Sequence, residues 1–174
     1  MDPVGILMRI NFSFFLYLFL SFLLIIAQTS VVPTTSLGKF TPDLNLIIII
    51  CLAVRTEIPY PFTLATLNGF LMDIFSAGTW GLHTITRFAV FLLLRVGLHN
   101  INYDRNHPFL LSLAFFTGTL LMHLLFLVLL LFKQDSGQAA FLSLELALYQ
   151  AIINTVVGVP MIMLLRKLDG ITKA

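Results

Sequence analysis

Between Pro108 and Phe132 the chain reads PFLLSLAFFTGTLLMHLLFLVLLLF, 25 residues without a single Asp, Glu, Lys or Arg. As a helix this run rises about 37 Å, more than the ~30 Å hydrocarbon core of a bilayer. The rest of the chain repeats the theme. It has 174 residues, 59% of them hydrophobic and 10% charged, with a mean hydropathy of +0.99. Soluble domains are about 25% charged. A water-soluble core of this size cannot hide so much apolar surface, so lipid is the expected solvent. The length suits one integral membrane domain over 1–174 with no second soluble one.

Six apolar segments stand out, giving expected spans at about 10–28, 42–57, 61–75, 82–98, 108–132 and 142–165. Between them lie TSVVPTTSLGKFTPD, RTEIPYP, SAGTWG, HNINYDRNHP and KQDSGQ, all rich in turn-forming or polar residues. Continuous apolar runs without alternation argue for helices rather than a barrel. The expected fold is an all-α membrane protein, a six-transmembrane-helix bundle. No cleavable signal peptide is evident, since Ile10–Ala27 is long enough to span and AQTS is a poor cleavage match.

With a cytoplasmic N-terminus, six spans place Arg9, Arg55, Arg95, Arg105, Arg166, Lys167 and Lys173 inside, against Lys39 and Lys133 outside. The positive-inside rule therefore favours both termini in the cytoplasm. Merging the third and fourth segments would move Arg95 and Arg105 outside. The third segment, of about 14 residues, rises only about 21 Å as a helix, so the 76–81 turn is expected below the outer surface. A recessed turn needs cover from protein or a water-filled cavity, which points to a polar pocket or partner groove in the outer half.

The scattered basic residues give no nucleic-acid footprint. Cys51 inside an apolar run reads as a small buried hydrophobe. His-Glu-x-x-His, Gly-x-Ser-x-Gly and Walker patterns are all missing, so no enzyme and no cofactor is expected. His99 and His107 sit in a polar loop without Cys or paired acids, which reads as a solvated loop, not a metal site. Trp80 fits an interfacial aromatic.

The polar residues inside the spans carry the remaining information. Thr66, Gly69 and Asp73 share a helix face, and Ala65 with Gly69 forms a small-xxx-small pair for close helix approach. Asp73 reads either as a helix-end carboxylate that caps the next turn or as a charge paired with Arg87 across the hairpin. Arg87 alternatively snorkels to headgroups. Glu145 suits the first turn of the last helix through its dipole. Asp73, His83, Arg87 and Glu145 are the candidates for one outer polar cluster or partner contact. In the fifth segment Ser112, Thr119 and His123 form a stripe beside Ala114 and Gly118. The sixth carries Gln150, Asn154, Gly158 and a kinking Pro160. These read as interhelical hydrogen bonds and close packing.

The order of features resembles the bacterial rod shape-determining protein MreD family. The likeness rests on PDLNLIIIICLAVR after the first loop, then NGFLMDIFSAGTWGLHTI, then a Pro-bearing apolar helix ending LLRKL. Pro42, Asp43, Gly69, Asp73, Gly78, Gly81 and Leu82 fall on that pattern; Arg87 and Glu145 do not clearly belong to it. The resemblance implies a multi-pass protein of the bacterial cytoplasmic membrane that belongs to the cell-elongation machinery. It would bind MreC and work near RodA, its transpeptidase partner and MreB filaments, surrounded by membrane lipid and with no nucleic acid. It would support peptidoglycan synthesis and cell shape without an enzymatic role of its own. The family is similar in architecture to the S-components of energy-coupling-factor transporters. The alternative function is therefore a vitamin-binding transporter subunit. Against it, NFSFFLYLFLSFLLIIAQ has bulky Phe and Leu where such subunits carry Ala-x3-Ala.

Overall fold

The computed structural model describes residues 3–31, 41–55, 60–76, 81–99, 107–132 and 144–173. Gly78, Trp80, Lys39, Arg105 and Lys133 lie outside the described residues, as do the side chains of Arg9, His99, Arg166, Lys167 and Lys173. Every described element is a helix: α1 Pro3–Ile26, continued by a π-helical turn Ala27–Val31, α2 Leu44–Val54, α3 Pro61–Phe75, α4 Leu82–His99, α5 Pro108–Phe132 and α6 Leu144–Lys173. Two of them, Pro108–Phe132 and the Leu144–Leu165 part of α6, are long and apolar enough to cross a membrane. The α6 helix continues through Pro160, whose missing N–H ordinarily breaks a helix interior.

The shortest helix holds the middle of the bundle. α2 packs against all five other helices, and Asn45 through Val54 are buried without a break. Its 11 residues span about 16 Å. Asn45 apart, LNLIIIICLAV is apolar throughout and has no polar face to turn outward, so the helix is surrounded on every side. Small residues let the neighbours close around it. A Cβ on Gly118 of α5 would lie 2.9 Å from Leu94 of α4 and 3.1 Å from Ile50 of α2. A Cβ on Gly158 of α6 would meet the Phe115 ring at 2.5 Å.

The outer surface inverts the soluble pattern. Phe132 is 82% exposed, Leu144 74% and Phe109 70%, while Asp73, Arg55 and Arg87 are buried. An apolar exterior this extensive marks a surface made for lipid or for partner helices.

Thr66 is exposed and bonds only its own helix, at the Phe62 carbonyl, so it leaves the face on which Gly69 and Asp73 are buried. The buried face of α3 is instead Leu64, Ala65, Asn68, Gly69, Met72 and Asp73. In α5, Ser112 likewise bonds its own helix at Pro108 and His123 contacts its own Thr119 carbonyl, leaving Thr119 as the member of that stripe that reaches another helix.

Candidate functional site

The start of α2 is half-buried at Asp43 and Leu44 and fully buried from Asn45, so its first amides need protein acceptors. Three side chains supply them. Asp43 is the N-cap and its Oδ1 accepts from Leu46 N at 2.9 Å. Gln28, on the π-helical turn that ends α1, accepts from Asn45 N at 3.2 Å. Asn154 of α6 accepts from Asp43 N at 2.8 Å. Asn154 then donates to Thr119 Oγ1 of α5 at 3.1 Å, and Thr119 donates to the Phe115 carbonyl. The N-cap preference for Asp explains the residue, and the burial explains why helices from both ends of the chain converge on it.

Asp43 also carries the charge pair of this layer. Arg87 Nη2 of α4 reaches its two carboxylate oxygens at 3.1 and 3.3 Å. The Arg87 side chain is 1% exposed and that of Asp43 15%. Beside the pair, Asn68 of α3 donates to Asn45 Oδ1 at 2.9 Å and Asn45 donates to Met72 Sδ at 3.4 Å. All six helices thus contribute polar groups to one layer at the Asp43 end of α2.

Asp73 does not pair with Arg87. Its carboxylate accepts from the backbone N of His83 at 2.8 Å, the backbone N of Thr84 at 3.0 Å and Thr84 Oγ1 at 2.5 Å. The cause lies at Gly81, which precedes α4 with φ +83° and has no side chain with which to cap it. The orphan amides of the second and third helical positions therefore take their acceptor from the neighbouring helix. Gly69, one turn before Asp73, permits this approach: a Cβ there would sit 2.7 Å from Thr84 Cα. Arg87, one turn beyond His83, faces α2 and takes Asp43.

Of the four cluster candidates, Asp73, His83 and Arg87 gather at this end of the bundle. Glu145 sits exposed in the first turn of α6, with no bond to the layer among the described residues. Asp43 fills the acidic place expected for it. In the sequence Asp43 stands out only through the likeness to the MreD pattern, although Pro-Asp before an apolar run is itself a helix-start signal. Asn45 within an otherwise apolar run was the second available signal, because an amide there must be bonded.

Two arginines stand at the opposite end of α2. Arg95 Nη1 donates to the carbonyls of Leu52 at 3.2 Å and Arg55 at 2.9 Å. Arg55 Nη1 donates to Tyr17 Oη at 2.6 Å, and its guanidinium lies 6.0 Å from the centre of the Tyr17 ring. No family model, no curated protein and no solved structure matches this chain.

Proposed function

We propose that the chain is a non-enzymatic integral membrane component of the bacterial cell-elongation complex, similar to MreD, which binds MreC and supports peptidoglycan synthesis and cell shape. In this reading it is a six-span bundle of the cytoplasmic membrane with both termini inside. The Asp43 end of α2 then faces outward and the Arg55–Arg95 end faces the cytoplasm, in keeping with the distribution of basic residues. RodA with its transpeptidase and MreB filaments are the further members of the assembly.

The observation that carries this reading is where the pattern residues lie. Asp43 caps α2 and holds Arg87, Gly69 sits at the closest approach of α3 to α4, and Asp73 caps α4. Gly81 takes the positive φ of the turn and Leu82 is buried behind it. These residues are spent on joining helices, a scaffold's use of them. The short α2 and α3 borrow flanking residues to complete their crossings.

The test is affinity purification of the tagged full chain from its native membranes in mild detergent. An MreC-like protein is expected to copurify. Recovery of an ATP-hydrolysing transport module, or of a stoichiometric vitamin-like molecule, overturns the scaffold in favour of the transporter subunit.

A further inference from the structure

His123 stands apart from the polar layers at the two ends of α2. It lies on α5, a helix long and apolar enough to cross a membrane. Along that helix it is about 23 Å from Pro108 and about 14 Å from Phe132. A crossing centred on α5 puts it about 5 Å from the middle of a hydrocarbon core ~30 Å thick. A polar side chain at that depth is costly unless a partner bonds it.

One of its two ring nitrogens is accounted for. Nδ1 lies 3.0 Å from the Thr119 carbonyl oxygen of its own helix. A carbonyl oxygen only accepts, so the proton of this bond is on Nδ1. In the neutral ring Nε2 is then a bare acceptor. It has no hydrogen-bond partner among the described residues, and it is not one of the enclosed unpartnered atoms of the bundle. His123 is half-buried, and Leu124 beside it is 57% exposed. The face is an outer one. Leu121, Leu125 and Phe126 pack against the core, whereas Phe116, Leu120 and Leu127, which share the His123 face, are half-buried without joining it. Thr119 meets Asn154 and Phe115 meets Gly158, so α5 and α6 run antiparallel. At the level of His123, α6 exposes Leu148 and Ile152.

What covers Nε2 must donate. Acyl chains carry no donor, and water is absent at this depth. The donor has to come from a helix, for which the exposed Leu and Ile beside His123 supply the apolar contact.

We infer that the outer seam of α5 and α6 docks a transmembrane helix of another protein, which donates an amide or hydroxyl hydrogen to His123 Nε2. The site rests on the reading of the chain as a membrane bundle, not on the likeness to MreD.

The probe is a synthetic single-span peptide of leucine and alanine with one asparagine at its centre. Its control has leucine in that place. The full chain, labelled at its N-terminus, is reconstituted in phosphatidylcholine bilayers, and energy transfer to the labelled peptide measures association. The asparagine peptide is expected to bind roughly tenfold more tightly than the control, the effect of one interhelical hydrogen bond. His123→Phe keeps a ring and removes the acceptor, and is expected to abolish the preference. His123→Gln keeps an acceptor and is expected to retain part of it. His123 bonds no other helix among the described residues, so both variants are expected to fold. Gln150→Leu, at the same level of α6, is expected to keep the preference in full. Equal binding of the two peptides, or a preference that survives His123→Phe, overturns the site. A preference lost in Gln150→Leu and kept in His123→Phe moves the acceptor to α6 and also overturns it. Energy transfer between two labelled copies of the chain that displaces the peptide and is lost in His123→Phe gives the seam to a second copy, and overturns docking of another protein. None of these outcomes depends on an MreC-like protein, so this site and the proposed function fail separately.

Discussion

The two ends of α2 solve one electrostatic problem in different ways. A buried helix exposes amide donors at its start and carbonyls at its end, and neither can be left to water. At the far end, Arg95 and Arg55 lie where the dipole favours cations, and Arg95 bonds the terminal carbonyls directly. That solution is forgiving, because a long flexible side chain can meet a carbonyl in many ways. At the near end, Asp43 meets an amide of its own helix, the guanidinium of α4 and, through its backbone, the amide of Asn154. Here each group has several partners in fixed directions. Helix starts in a bundle are thus the places where position is specified, and helix ends are where it is tolerated.

The largest effect should follow from breaking the near end. Asp43→Ala removes the cap and strands the buried Arg87 without its counter-charge. The cap is worth about 1 kcal/mol and a broken buried pair about 3–5 kcal/mol. The expected result is a chain that loses most of its folded fraction, measured by thermal unfolding in detergent. Asp43→Asn/Arg87→Gln should cost less than the sum of its single variants, since no unpaired charge remains. Strict additivity would show that the two side chains do not depend on each other.

Gly69→Ala comes next. The added Cβ would sit 2.7 Å from Thr84 Cα and 3.1 Å from the His83 carbonyl, both backbone. Backbone cannot rotate aside, so α3 and α4 must separate and the Asp73 cap must lengthen. A loss of about 1–3 kcal/mol is expected, read as a lower midpoint in the same unfolding experiment. An unchanged midpoint would mean that the Asp73 cap survives a wider crossing.

These contrasts explain what could be read from the residues alone. Apolar runs divided by Pro-, Gly- and Asn-rich breaks give the helices, because each break carries its own local cause. The Gly turn before Leu82 was legible for the same reason, and Gly81 indeed takes a positive φ. The central place of α2 was not legible. LNLIIIICLAV and the apolar run of α5 look alike, yet the first is buried all round while Phe109, Leu131 and Phe132 of the second are exposed. Uniform apolarity suits both lipid and protein surroundings and carries no information about which it meets. The partner of Arg87 was hidden for a different reason. Asp73 lies nearer in sequence, at an expected depth that matches. The uncapped start of α4 competes for that carboxylate, and a demand made by two half-buried amides outranks one charge with another acid in reach.

The far end should resist substitution better. Arg95→Met keeps the aliphatic stem along the bundle and removes the bonds to the Leu52 and Arg55 carbonyls. Those carbonyls close a helix whose last turn is partly served by the Arg55 N–H to Cys51 O bond. A loss of about 1–2 kcal/mol is expected, smaller than at Asp43. A loss as large as that of Asp43→Ala would erase the distinction between the two ends.

The smallest effect is expected at Gly97, two residues beyond Arg95 on α4. It borders an apolar groove of about 180 Å³ formed with Leu93, Leu113 and Thr117, and a Cβ there would meet nothing within 4 Å. Gly69→Ala and Gly97→Ala are the same chemical change in two buried-bundle helices, so their difference isolates the surroundings. Alanine is favoured over glycine in a helix interior by roughly 1 kcal/mol, and part of that arises from restricting the unfolded chain. Gly97→Ala should therefore leave the midpoint unchanged or raise it by a few degrees. If instead it lowers stability only when the chain is kept in its native membrane, and not in detergent, then the groove is filled there by a neighbour that the methyl displaces. In that event the far end would be tolerant only of changes that the isolated chain can feel, and its freedom would belong to the monomer alone.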